Sequence, residues 1–442
     1  MVKTKILGAF QPEALYTKNF SLSYTERKTP QKMKPKSKKS KRFSLFSIYF
    51  TFFVDSLSWS IIFPIFAPYF LDPHNPLFSP ETSFATRTSL LGLFLMAFSL
   101  GQFLAAPILG EYVDKHGRRK ALILSVLFTC VGMITTAISI KIYSLVFLFL
   151  GRLITGVFAS NLSVCLACIS DLSSTEKIKV KRFSFLSVLT GVSFILGAFL
   201  GGKLSDATIH PWFSPDIPFW LASLLTFANF LFVLFGFKET STIQPSLQFN
   251  FLESFHNIKK VLETKKIKWI YTVYFLFLCA WTLIFQFTPV LVVRRYGFTN
   301  SQIGNLALFM GIFWALGSSV LNKSLISRYR SQKILEWCLV LFTLLCASIV
   351  FPAHLYLRLL ILGLSTLIGG LAWPHCTNVI SSAAPKEVQG KILGLTQSIQ
   401  SLSMALAPLA GGISYQIIPG SVFLLAAAAC LTASLIYILK NR

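Results

Sequence analysis

Long apolar runs alternate with short polar segments along the whole chain. Runs of about 20 mostly apolar residues are long enough to cross the hydrocarbon core of a bilayer. They fall near 44–70, 87–110, 120–140, 143–168, 184–203 and 218–237. A polar segment from Lys238 to Lys268 follows, and six more runs lie near 269–293, 302–322, 333–351, 355–380, 389–414 and 420–439. This pattern predicts an all-α polytopic membrane protein with about twelve transmembrane helices. Its domains read as a disordered basic tail over 1–42, a six-helix bundle over 43–237, a linker over 238–268 and a second six-helix bundle over 269–442. Nothing upstream of Met33 reads as structure, which makes Met33 an expected alternative start.

Composition agrees with lipid as the main solvent. Hydrophobic residues make up 54% of the chain and charged residues only 13%, against about 25% charged in ordinary soluble domains. The balance of 41 Lys plus Arg against 16 Asp plus Glu gives a net charge of +25. These basic residues sit in the segments between apolar runs, not along one helix face, which argues against nucleic-acid binding. They collect in alternate segments: the tail, Lys115 to Lys120, Lys177 to Arg182, the linker and Lys323 to Lys333. By the positive-inside rule both termini are expected in the cytoplasm. No cleavable signal peptide is expected, because the first apolar run is long enough to span and stay.

The eight cysteines all fall in apolar runs. Cys165 and Cys168 have C-x-x-C spacing, but with no partner His or second pair they read as packing residues. No disulfide framework, metal site or cofactor is expected.

The two halves echo each other. KRFSFLSVLTGVSFILGAFLGG (181–202) and KILGLTQSIQSLSMALAPLAGG (391–412) both begin with Lys and end with a Gly pair. Internal repeats of this kind are common among secondary carriers, with the substrate site between the halves near the membrane midplane.

The segment GEYVDKHGRRK (110–120) resembles the signature loop between the second and third helices of the major facilitator superfamily. It carries Gly110, Asp114, Gly117, Arg118 and Arg119, and the resemblance implies a conformational latch. Asp171, at the end of the fourth helix, is an expected partner for Arg118. Three further segments resemble the drug:proton antiporter branch, the tetracycline efflux proteins in particular. They are VDSLSWSIIFPIFAPY with Asp55, Pro64 and Pro68, GRLITG with Arg152 and Gly156, and GVSFILGAFLGG with Gly191, Gly197, Gly201 and Gly202. In the last, Ala198 stands where proline is usual. The third helix has no acidic residue, and the ninth has only Glu336 near its end.

Asp55 and Arg152 both lie about midway through an apolar run. An isolated charge at that depth costs several kcal/mol, so each needs a partner, water or, for Asp55, a proton. They are the candidate proton-coupling residues. Asn161, Asn229, Gln286, His375, Asn378, Gln397 and Gln400 are polar groups at membrane depth and candidates for the substrate cavity. Trp59, Trp281 and Trp314 are candidate apolar walls.

The resulting expectation is a secondary transporter working by alternating access, with proton-coupled efflux of small amphipathic molecules as its function. Proton-coupled uptake of a nutrient or metabolite is the alternative. No clustered His, Glu or Ser at catalytic spacing suggests an intramembrane enzyme. A monomer in a bacterial inner membrane is the expected setting.

Overall fold

The computed structural model describes residues 38–159, 161–173, 175–240, 265–351, 354–382, 389–418 and 420–441. Among them every regular element is helical. Most of the tail expected over 1–42 and most of the linker expected over 238–268 lie outside these residues. The first helix, α1, starts at Lys38, so the last five residues assigned to the tail form its first turn.

The first half of the chain contributes α1 (Lys38–Ser60), α2 (Phe66–Leu71), α3 (Phe84–His116), α4 (Arg118–Lys141), α5 (Leu145–Phe158), α6 (Asn161–Leu172), α7 (Glu176–Leu204) and α8 (Ile217–Gly236). The second half contributes α9 (Lys265–Tyr296), α10 (Asn300–Ala315), α11 (Asn322–Ile326), α12 (Ser331–Ser348), α13 (Leu355–Ser382), α14 (Gln389–Ile417) and α15 (Ser421–Asn441). A π-helical turn over Leu316–Leu321 joins α10 to α11. Among the described residues nine helices are long and apolar enough to cross a membrane. The other three expected runs are helical too, and each has a visible reason for falling outside that set. Asp55 and several serines interrupt the apolar run of α1, a break after Phe158 divides α5 from α6, and α14 is rich in Ser and Gln.

Local chemistry sets the ends and breaks of these helices. Pro64 has no N–H to donate one turn back, so the chain tightens between α1 and α2. There Phe63 N donates to Ser60 O at 3.1 Å, and Ile65 N to Ile62 O at 3.1 Å. Gly117, at φ 88°, ends α3 and opens α4, a backbone angle that glycine adopts without a Cβ penalty. The sequence Thr299-Asn300-Ser301-Gln302 forms a full capping box at the start of α10.

The two halves meet along two seams, α3 against α14 and α7 against α10. Glycines bring the backbones close at both. A Cβ on Gly92 would come within 2.4 Å of Pro408 O, and one on Gly202 within 2.6 Å of Asn300 O. Ser89 Oγ also donates to Gly412 O at 2.8 Å across the first seam.

Candidate functional site

A cavity of about 50 Å³ lies between the halves at the α1–α2 break. Its walls include Trp59, Phe63, Phe98, Arg152, Phe285 and Gln286. The tight turn before Pro64 places Trp59 and Phe63 here, and α9 supplies Phe285 and Gln286 from the other half. Trp59 stacks on Phe285 with centroids 6.0 Å apart and planes within 6°, while Phe63 approaches the same ring at 4.5 Å. The aromatic contacts continue from Phe285 to Trp281 at 5.9 Å and from Trp281 to Trp314 at 4.4 Å. The three tryptophans proposed as walls thus belong to one aromatic chain, although only Trp59 lines the cavity itself.

Arg152 is 3% exposed. Its guanidinium sits over the ring of Phe98 at 4.5 Å and near Phe94 at 5.9 Å. Its Nε has no hydrogen-bond partner among the described residues. Gly156, one turn further along α5, explains how Phe98 can be so near. A Cβ there would fall 2.0 Å from Phe98 O, so the glycine lets α5 press against α3.

Asp55 is half-buried on α1, one turn before Trp59. It lies near Cys165 of α6. Arg152, the other proton-coupling candidate, packs instead against Phe94 and Phe98 of α3.

The polar candidates scatter. Gln286 lines the cavity, and its Oε1 has no partner among the described residues. Asn229 instead accepts from Thr51 Oγ1 at 2.9 Å, tying α8 to α1. Asn378 donates to Ser331 Oγ at 2.8 Å in a separate surface pocket between α12 and α13. His375 is buried within α13 beside Pro374, and Gln397 is half-buried on α14. Gln400 approaches Met404 Sδ at 3.9 Å. The side chain of Asn161 lies outside the described residues.

The loop after α3 is tied to two other helices of the first half. Arg118 Nε reaches Asp171 Oδ2 at 2.8 Å. Glu239, just past α8, accepts from Arg118 N at 3.1 Å and from Arg119 N at 2.9 Å. Its carboxylate thereby satisfies two of the orphan N–H groups at the start of α4 and complements the helix dipole. Arg119 Nη2 donates to Leu234 O at 2.7 Å. Gly110 and Asp114 lie on α3, with the Asp114 side chain outside the described residues. Nothing in the local sequence marks Glu239 for this part. The two N–H groups it meets on α4 lie about 120 positions away, which leaves no pattern in the chain.

Of the four α7 glycines, Gly197 and Gly201 face the end of α1, where added Cβ atoms would come within 2.1 Å of Ser60 Oγ and 2.4 Å of Ile61 O. Gly202 faces α10. Gly191 has open space around it.

A fold of helices crossing the membrane in two sets, with a cavity between them and a glycine-turned basic loop, is that of a membrane carrier. The sequence profile of the Major Facilitator Superfamily matches residues 48–408 and 324–442, and the chain belongs to that family of transporters. It is 24% identical over 358 residues to the tetracycline resistance protein, class H, of Pasteurella multocida, covering 80% of this chain and 85% of that protein. Among solved structures it resembles the human organic anion transporter MFSD10, with TM-score 0.67 and 19% identity, covering 90% of this chain and 99% of that one. It also resembles the D-xylose–proton symporter, with TM-score 0.69 and 14% identity, covering 90% and 96%. At these identities the structural likeness shows the fold.

Proposed function

We propose that this protein exports small amphipathic molecules by alternating access, driven by proton entry, as a monomer in a bacterial inner membrane with both termini in the cytoplasm. The observation that carries the reading is the cavity at the α1–α2 break, shared by both halves and roofed by the Trp59–Phe285 stack. About 50 Å³ is the share of one or two water molecules, whereas drug-sized ligands need pockets of about 300–1,000 Å³. Cargo therefore enters only when α1 and α9 part, as alternating access requires. Similarity to a tetracycline resistance protein supports export. Asp55, a carboxyl at membrane depth one turn from the cavity, is the proposed proton carrier. The loop held by Arg118, Asp171 and Glu239 is the proposed latch on the cytoplasmic side.

The test is transport in sealed vesicles with an imposed pH gradient, comparing the wild type with Asp55→Asn. The expected result is uphill movement of an amphipathic probe by the wild type. The variant should lose this while still exchanging probe at equal concentrations. Proton-driven accumulation of a sugar or metabolite in the opposite direction would establish uptake instead.

A further inference from the structure

We infer that the central cavity receives the negative charge of its cargo on Arg152, and so selects aromatic organic anions over lipophilic cations. The inference rests on the reading above for the statement that this cavity carries cargo, and it adds the sign of the charge.

Three observations converge on Arg152. Among the described residues it is the one charged side chain in the cavity lining, and no carboxylate stands with it there. It is 3% exposed, and among the described residues its guanidinium meets the rings of Phe98 and Phe94 without an ion-pair partner. A guanidinium carries five N–H donors in a planar fork, and ring faces satisfy its charge in part while leaving the fork unused. A carboxylate or sulfonate fits that fork with two parallel charge-assisted hydrogen bonds. Asp55, the acid nearest along α1, is absent from the lining.

The remaining walls set the rest of the cargo. Trp59, Phe63 and Phe285 offer flat aromatic faces, and Gln286 offers an amide from the opposite half. A molecule with a fused aromatic body and one anionic group pairs with both kinds of wall. A quaternary ammonium of the same size finds the aromatic faces but meets the buried positive charge of Arg152, with no acid in the lining to offset it.

Three probes with one ring system separate these cases: 2-naphthoate, 2-naphthamide and trimethyl-2-naphthylammonium. Their equilibrium binding to the full chain in nanodiscs is measured by calorimetry at pH 7, with no ion gradient. The expected result is 2-naphthoate binding at least about ten-fold tighter than the amide, with the ammonium weakest of the three. Arg152→Gln should bring the naphthoate to the affinity of the amide, and Arg152→Lys should restore part of the difference. The inference is overturned if the ammonium binds as tightly as the naphthoate, if none of the three binds, or if a monodisperse Arg152→Gln protein keeps the naphthoate preference. Because the wild-type ranking alone decides the charge preference, the test survives a variant that fails to fold. Naphthoate binding without proton-driven flux would end the exporter reading and leave this one standing. Proton-driven flux of the ammonium, with naphthoate inert, would do the reverse.

Discussion

Asp206 Oδ2 accepts a hydrogen bond from Ser301 N at 2.9 Å, joining residues 95 positions apart in different halves of the chain. Ser301 lies in the first turn of α10, where backbone N–H groups lack intrahelical acceptors. Neighbouring contacts reinforce the join. Lys203 Nζ donates to Ser301 Oγ at 2.7 Å, and Asn300 Nδ2 to Ser205 Oγ at 2.9 Å. This polar clamp sits at the opposite membrane face from the basic loop after α3, and both Asp206 and Ser301 are buried. It closes that face in the arrangement described here.

Removing the charge should therefore loosen that face. A hydrogen bond to a charged group contributes about 1.5–3 kcal/mol, so Asp206→Asn should raise the population open at this face about ten-fold. Spin labels at the exposed positions His210 and Gln302 report the opening as a longer inter-label distance. An unchanged distance distribution in Asp206→Asn would show that the glycine seams alone hold the halves together.

The clamp should also respond to acid. Burial pushes the Asp206 carboxyl up, but hydrogen bonds from Thr208, Thr299 and Ser301 outweigh it and leave it below the usual carboxylate range. Opening the face exposes Asp206 to water and returns it towards the ordinary value of about 4. A group whose value is depressed in one state stabilises that state above its ordinary value and loses the effect as pH falls through the depressed one. The His210–Gln302 label distance should thus hold steady from pH 8 to about 5 and lengthen only below about 4. A midpoint near neutrality would assign the response to another group.

Glycine substitutions should separate packing sites from idle ones. At Gly156 an added side chain collides with the Phe98 carbonyl. Overpacking of this sort costs about 1–3 kcal/mol or more, so Gly156→Val should lower the unfolding temperature and shift the ring beneath Arg152. At Gly191 nothing stands within 4 Å, and in a helix interior Ala is favoured over Gly by roughly 0.5–1 kcal/mol. Gly191→Ala should leave the protein as stable as before or more so. Thermal unfolding of both variants in the same detergent checks the pair, and a destabilised Gly191→Ala would mean that this glycine packs against something in another arrangement.

The contrast between these two glycines shows how far the sequence could be read. Period and length of the apolar runs announced the helices, because lipid tolerates no other open backbone. The loop glycine Gly117 and the partners Arg118 and Asp171 were legible because they sit at fixed places in a short polar loop. Gly191 and Gly197 look alike in the sequence, and only the packing of α1 against α7 tells them apart. The same holds for the polar candidates. Asn229 and Gln286 are both amides at membrane depth, yet one bonds across α1 and α8 while the other lines the cavity. Asp206 and Glu239 went unnoticed because each serves backbone N–H groups, whose positions no side-chain pattern encodes.

Around the basic loop, the contact that sequence reading missed should matter more than the one it anticipated. The Arg118–Asp171 pair is partly open to solvent, with side chains 16% and 28% exposed, and exposed ion pairs contribute about 0–1 kcal/mol. Glu239 instead satisfies two backbone donors at the first turn of α4, and losing a helix cap costs about 0.5–2 kcal/mol. Glu239→Ala should therefore lower the unfolding temperature more than Asp171→Ala does. Exchanging the charges in Arg118→Asp with Asp171→Arg should recover little, because the exchange leaves the backbone contacts of Glu239 intact while placing a new acid beside it. If Asp171→Ala proves the more damaging, the ion pair, not the cap, holds the loop against the first half.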